Sequence, residues 1–257
     1  MPLADSEAIV LRNYPLGEGD LLVSFLSRGH GRLRGVARGA RRPKSRFGST
    51  LEPLSLVHIW FFEKENRDLV RISQCELQES FLEAQRDFSV GVGLGVLSEI
   101  SETLLPEREP GDSSFRLLLL ASREMKNSRT VALPLAYFAL WMLRLGGWLP
   151  ELTRCTGCGR ELGEEGAAGG GVRHGLFCRA CRLPGMRNLT PGARRLAVHM
   201  LAERLEKIRA ESCTPADVAH LTGFALDLIE QQSEKKLVTR RLFESMAPAG
   251  EAARGIS

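Results

Sequence analysis

The 257-residue sequence predicts an α+β protein, a small closed barrel of five strands followed by a helical domain that carries a four-cysteine metal knuckle. Three observations predict it. Residues 1–80 hold five short runs rich in Val, Ile, Leu and Phe, punctuated by turn residues such as Pro15, Gly17, Gly19, Gly29, Asn66 and Asp68. From about residue 81 the apolar spacing changes to helical periods. Two Cys-x-x-Cys pairs, Cys155/Cys158 and Cys178/Cys181, stand 19 residues apart. The expected division is a barrel over 1–80, a helical domain over 81–245 with the metal motif at 155–181, and a small, polar, fraying tail over 246–257.

Strands are expected over Glu7–Tyr14, Asp20–Leu26, Gly31–Ala37, Leu54–Glu63 and Leu69–Leu77. A helix over Phe81–Leu105 stops at Pro106, a second runs over Ser113–Asn127, and a third over Val131–Leu145 closes on Gly146-Gly147. Thr190-Pro191 and Thr214-Pro215 read as N-cap and first-turn pairs. Leu196, Met200, Leu201, Leu205 and Ile208 give the first of these helices an apolar stripe, and Val218, Leu221, Phe224, Ala225 and Leu228 give the second one.

Composition narrows the function classes. The 43% apolar content permits real cores. The longest apolar run, Val131–Leu143, is interrupted by Arg144 short of the roughly 20 residues a bilayer span needs. No membrane role follows. The acidic start Met1-Pro-Leu-Ala-Asp-Ser-Glu has no apolar signal region, so a cytoplasmic protein with reduced thiols is expected. Cys75 and Cys213, outside the pairs, are read as small buried hydrophobes.

The four paired cysteines offer four soft ligands to one Zn2+, at about 2.3 Å each. Such a closed site leaves no position open for substrate, so the zinc is structural. Two unrelated pairs, disulfides and a redox Cys-x-x-Cys are the competing readings, and no βαβ pattern surrounds either pair. His174 could replace one thiol but ranks below the four cysteines. The intervening Glu164–Gly171 stretch reads as a flexible glycine-rich loop.

Between Asp20 and Glu52 there is no acidic residue, yet Arg28, Arg32, Arg34, Arg38, Arg41, Arg42, Lys44 and Arg46 all fall there. A merely solvated surface mixes signs, whereas this run repels itself until a polyanion neutralises it. Nucleic acid supplies that charge, with Phe47 as a stacking platform among the arginines. The competing reading is a solvated loop whose Phe47 tucks into the barrel. Trp60 and Phe62 face opposite to Phe61 on their strand, and most of that cluster is read as core. His58 is read as a satisfied strand histidine rather than a ligand.

Enzymatic readings find little support. Gly-Lys never occurs, which removes a P-loop; Gly91-Val-Gly93-Leu-Gly95 follows no strand; His174 and the cysteines lack the deaminase pattern.

The run Gly31-Arg-Leu-Arg-Gly-Val-Ala-Arg-Gly-Ala-Arg-Arg-Pro-Lys-Ser-Arg-Phe47, followed by Leu51-Glu-Pro53 and preceded by Tyr14-Pro-Leu-Gly-Glu-Gly-Asp20, resembles the bacterial recombination mediator family RecO. The resemblance implies an oligonucleotide-binding (OB-fold) barrel and a helical domain with a four-cysteine zinc site. It implies a non-enzymatic DNA repair protein, nucleoid-associated in the bacterial cytoplasm. Such a protein binds single- and double-stranded DNA, anneals complementary strands, and helps load the recombinase onto DNA coated by single-strand-binding protein. RecR and the acidic tail of the single-strand-binding protein would be partners. By position, Arg38, Arg41, Arg42, Lys44 and Arg46 would contact DNA, and Cys155, Cys158, Cys178 and Cys181 would hold zinc. The alternatives carried beside it are a zinc-containing RNA-binding or transcription-associated adaptor and a zinc hydrolase with an open coordination position.

Overall fold

A computed structural model describes residues 3–63, 68–170, 174–208 and 213–246. Asn66 and all but Met246 of the expected tail lie outside them. By compactness the chain forms two units, Met1–Arg129 and Thr130–Ser257.

In the first unit five strands close into a barrel: β1 (Leu3–Leu16), β2 (Asp20–Ser27), β3 (Gly31–Ala37), β4 (Leu56–Phe62) and β5 (Leu69–Glu79). Their order around the barrel is β1-β2-β3-β5-β4. All neighbours are antiparallel except β3 and β5, which run parallel from Arg34 opposite Leu69 to Ala37 opposite Ile72. Alternation decides which side chains enter. In β3, Leu33 and Ala37 are buried while Arg32, Arg34 and Val36 face outward. Val23, Phe25, Val57, Ile59, Phe61, Val70 and Ile72 fill the interior. A bulge between Val10 and Arg12 shifts the register of β1 by one residue, so Arg12 and Tyr14 point outward beyond it. Gly35 lets β3 and β5 approach, because a Cβ there would lie 2.8 Å from Val70 Cγ2 and 2.9 Å from Ile72 Cγ1.

The aromatic triplet of β4 divides: Phe61 is wholly buried, while Trp60 and Phe62 are only half-buried on the outside, so most of the cluster is not core. His58 Nε2 lies 2.7 Å from Asp5 Oδ2 and its ring is 4.4 Å from that of Trp60, the partnered strand histidine expected. Cys75 is buried in the barrel core, and Cys213 is only half-buried.

The helix expected over Phe81–Leu105 is broken into α1 (Leu82–Gln85) and α2 (Phe88–Leu104). Asp87 interrupts it, in extended conformation, and its side chain accepts a hydrogen bond from the Val90 amide that starts a new helix. α2 lies over β1, where Ser98 Oγ donates to the Leu11 carbonyl at 2.6 Å. α3 (Asp112–Ser128) packs on α2 and ends at Arg129 in left-handed conformation. Compactness thus groups α1–α3 with the barrel.

In the second unit, α4 (Ala132–Leu145) is the expected core helix, with nine residues from Pro134 to Leu143 buried. The glycine-rich stretch is structured where described. Ala167–Gly169 forms β6, the central strand between β7 (Leu176–Phe177) and β8 (Arg187–Leu189). Glycine is needed there for packing rather than freedom: a Cβ on Gly169 would lie 2.9 Å from Leu176 Cδ2 and from Phe224 Cε2. Gly171 lies outside the described residues. Thr190 caps α5 (Pro191–Ala202) and Thr214 caps α6 (Pro215–Ser233), each accepting from the amide three residues on. The stripe through Leu205 and Ile208 outruns its helix. Both are buried, but α5 stops at Ala202 and Leu205–Lys207 is a 3-10 turn. A short α7 (Val238–Ser245), absent from the sequence-based expectation, follows.

Candidate nucleic-acid interface and metal centre

The connection from β3 to β4, residues 38–55, starts as a basic run and ends as an apolar plug. Phe47, Leu51 and Leu54 are all at most 3% exposed, and Phe47 and Leu51 belong to the barrel core. Phe47 is therefore no stacking platform. The hydrophobic gain of burying a phenylalanine, about 2 kcal/mol, favours the barrel interior over solvent. Leu54 takes a left-handed φ of 63°, a strain its buried side chain offsets.

This plug holds the basic segment in place. Successive turns are closed by Arg42 N to Gly39 O, Ser45 N to Arg42 O and Gly48 N to Ser45 O. The loop is also tied to the β1–β2 hairpin: Arg41 N donates to Gly19 O at 3.0 Å, Arg41 Nη1 to Gly17 O at 3.1 Å, and Gly39 N to Asp20 Oδ1 at 2.8 Å. Gly19 leaves room for the Arg42 side chain, since a Cβ would meet its Nε at 3.0 Å. Arg46 lies over the Phe47 ring at 4.9 Å.

The eight cations of the run separate into two groups. Arg28 pairs with Glu7 at 2.8 Å and Asp112 at 2.6 Å, while Arg32 and Arg34 share Glu107 at 3.2 and 2.9 Å. The Arg34 Nε proton is not aimed at that carboxylate, so this contact is ionic rather than a well-directed hydrogen bond. Arg38, Arg41, Arg42, Lys44 and Arg46 are exposed, and among the described residues none of them pairs with an acid. The structure brings these five together on one short loop. The acids that silence the other three come from β1 and from the chain after α2, at separations that no local reading of charge resolves.

Cys155, Cys158, Cys178 and Cys181 also come together, each Sγ within 4.8 Å of the other three. Cys158 and Cys178 Sγ are 3.9 Å apart, far beyond a disulfide's 2.05 Å but close to the ~3.8 Å separation of two thiolates on a tetrahedral zinc. The donor chemistry fits a soft divalent ion. Burial pushes the Cys155 thiol up, yet backbone amides of Cys178, Cys158 and Gly157 outweigh it and bring the group down to about 6. Cys178 is likewise lowered: its burial is outweighed by hydrogen bonds from the Cys181 amide and thiol. At Cys181, hydrogen bonds to the Cys178 and Cys158 sulfurs push the thiol up to about 12. Four bare thiolates cannot share so small a space, and a dication is what makes them compatible.

Local backbone builds the knuckles. Gly157 keeps the two pairs close, because a Cβ there would crowd Cys181 Cβ at 3.0 Å and its Sγ at 3.1 Å. Cys178 N donates to Cys155 Sγ at 3.3 Å and Thr156 N to Leu176 O at 2.8 Å, which joins the two pairs. Arg194 of α5, 6% exposed, donates to the carbonyls of Leu152, Gly163 and Glu165, stapling the segment around the first pair. Sequence reasoning missed it, since its partners are backbone atoms. His174, exposed at the border of the described residues, is not among the clustered ligands.

Comparison with known proteins gives the family of the chain. Residues 1–81 match the family model "Recombination protein O N terminal" and residues 85–241 match "Recombination protein O C terminal". The chain is 37% identical over 244 residues to the DNA repair protein RecO of Koribacter versatilis, covering 95% of this chain and 99% of that one. It is 32% identical over 254 residues to the DNA repair protein RecO of Streptomyces avermitilis, covering 95% and 100%. Against the DNA repair protein RecO of Cutibacterium acnes it is 35% identical over 191 residues, covering 72% and 76%.

Proposed function

The chain belongs to the RecO family of DNA repair proteins, and from that premise we propose that it is a recombination mediator: it anneals complementary single strands and helps load the recombinase onto DNA coated by single-strand-binding protein. The observation that carries the reading is the ordered loop of five cations with no acid partner among the described residues. Arg38, Arg41, Arg42, Lys44 and Arg46 neutralise phosphates and release counterions, which lowers the repulsion between two strands brought to the same protein. The barrel of β1 to β5 is the nucleic-acid module, and the metal motif lies in the second unit, after Arg129. Annealing needs no bond broken, so the protein acts by binding and not as an enzyme.

Zn2+ held by Cys155, Cys158, Cys178 and Cys181 supplies folding free energy to a segment whose strands are two or three residues long. Single- and double-stranded DNA, RecR and single-strand-binding protein are the partners of this reading, and the nucleoid in the bacterial cytoplasm is its place. Among the described residues no helix is long and apolar enough to cross a membrane.

Strands coated with single-strand-binding protein test partner and activity together. The full chain should accelerate their annealing several-fold over the coated strands alone, without nucleotide. Binding to RNA with no acceleration of DNA annealing would favour the adaptor reading instead.

A further inference from the structure

The four sulfurs of the metal cluster are not equally sheltered. Cys155 and Cys178 are each 1% exposed, Cys181 is half-buried and Cys158 is exposed. The local backbone accounts for the difference. Cys178 follows β7, and its amide donates to Cys155 Sγ, so these two sulfurs lie under the backbone that joins the pairs. Gly157 lies close against Cys181 and shields it. Cys158 sits on an outer turn, Thr156 to Arg160, in which all five residues are exposed. A reagent arriving from solvent therefore meets this sulfur first.

Cys158 also has a neighbour to react with. Its Sγ is 3.9 Å from that of Cys178, across the two pairs, and a disulfide at 2.05 Å needs the sulfurs to close by about 1.9 Å. Gly157 and Gly159 flank Cys158, and Gly159 takes a left-handed φ of 75°. With no side chain on either neighbour, the outer turn has little to clear as it moves inward. Cys155 is held more firmly, since its sulfur accepts from the amides of Cys178, Cys158 and Gly157. Arg160 donates to the Cys178 sulfur and feels the charge of Cys158, which puts a cation beside the anion that leaves in such a step.

We propose that Cys158 is an oxidation site, at which a hydroperoxide makes a sulfenic acid that Cys178 converts to a disulfide across the two pairs. The Cys158 thiolate attacks one peroxide oxygen, the O–O bond breaks, and the departing alkoxide or hydroxide takes a proton from water. The Cys178 thiolate then attacks Cys158 Sγ, the S–O bond breaks, and the released hydroxide is protonated to water. Two thiolates lose two electrons, and the peroxide is reduced to an alcohol, or to water, and a further water. Cys155 and Cys181 remain, one from each pair, which is too few to close a tetrahedral site. The proposal rests on the reading of the quartet as a zinc centre and adds the sulfur through which that centre is undone.

The full chain as isolated tests it. Its zinc content is measured, the protein is treated with less than one equivalent of hydrogen peroxide, free thiols are alkylated, and the product is digested with trypsin. Cuts after Arg154, Arg160, Arg173, Arg179 and Arg182 put Cys155 and Cys158 in one peptide, Cys178 in a second and Cys181 in a third, so the mass identifies the disulfide. The expected product joins Cys155–Arg160 to His174–Arg179, with fragmentation placing the bond on Cys158, and one zinc is released per disulfide. Dithiothreitol with added zinc should restore the starting content. Brief alkylation of the untreated protein should label Cys158 before the other three. A disulfide within Cys155–Arg160, a disulfide to Ala180–Arg182, equal labelling of all four, or oxidation confined to Cys213 overturns the proposal and leaves the zinc reading intact. Protein isolated without zinc overturns both. Oxidised protein should keep the salt slope of DNA binding, because Arg38 to Arg46 lie in the other unit; a slope that changes with the disulfide overturns that separation.

Discussion

Replacing Arg38, Arg41 and Arg42 together by glutamine perturbs only cations that the structure leaves uncompensated. Each phosphate contact on a single strand contributes about −0.7 to the slope of log affinity against log salt. Five contacts give a slope of about −3.5, so raising salt from about 50 to 200 mM weakens binding about 130-fold. With two contacts left, the slope falls to about −1.4 and the same change costs only about 7-fold. Fluorescence anisotropy with a labelled single strand reads both slopes. The structure also supplies a control. Arg28 is held by Glu7 and Asp112, and Arg32 by Glu107 and the Leu105 carbonyl, so their replacement by glutamine should shift the slope by less than one contact, about 0.7. A triple variant whose slope stays within about 0.7 of the parent refutes the reasoning, as do Arg28 and Arg32 variants that flatten it equally.

Two further predictions concern stability. Cys155→Ser removes one of four thiolates and should lower metal stoichiometry and cost about 4 kcal/mol or more, read by urea unfolding, while the salt slope of DNA binding keeps its parent value. A folded, metal-free variant that has lost DNA binding alone would contradict this division of labour. Glu79 on β5 accepts from Arg123 Nε and Lys126 Nζ of α3, both at 2.8 Å; burial alone would raise its carboxyl, but these two partners outweigh it and hold it below the usual range. A depressed folded-state value stabilises the protein at pH above the unfolded carboxylate's value, about 4.3, and that stability is lost as pH falls through the folded one. Glu79→Gln should therefore cost about 1–2 kcal/mol at neutral pH, with a smaller difference from the parent below about pH 4.

Elements whose order is set by short-range rules were legible in the sequence. Gly31–Ala37 is a short run that follows the turn residue Gly29, and its strand has those bounds in the structure. Thr190 and Thr214 cap their helices because a hydroxyl before proline has one nearby set of amides to satisfy. The cysteine quartet was legible because two Cys-x-x-Cys knuckles need little else to meet. What failed depended on contacts between distant residues. Phe47 looked available for stacking because nothing local shows that the barrel end needs a plug. Glu164–Gly171 looked flexible because glycine reports either freedom or close approach, and the neighbours of Gly169, Leu176 and Phe224, decide which. The break at Asp87 left no mark on the apolar period that runs through Phe81–Leu105.

The correction at Phe47 changes how the loop can work. A flexible basic arm carrying its own aromatic would pay an ordering cost on each encounter and hold a base wherever the arm happened to settle. Here Phe47, Leu51 and Leu54 are spent on the barrel, and the cations between Arg38 and Arg46 are fixed by turns and by the bonds to Gly17, Gly19 and Asp20. The ordering cost is met in folding, so charge is presented at set spacing beside an open strand surface. That arrangement separates two tasks. Phosphate attraction resides on the loop and is sensitive to salt, and with Phe47 buried the loop offers no aromatic ring of its own to a base.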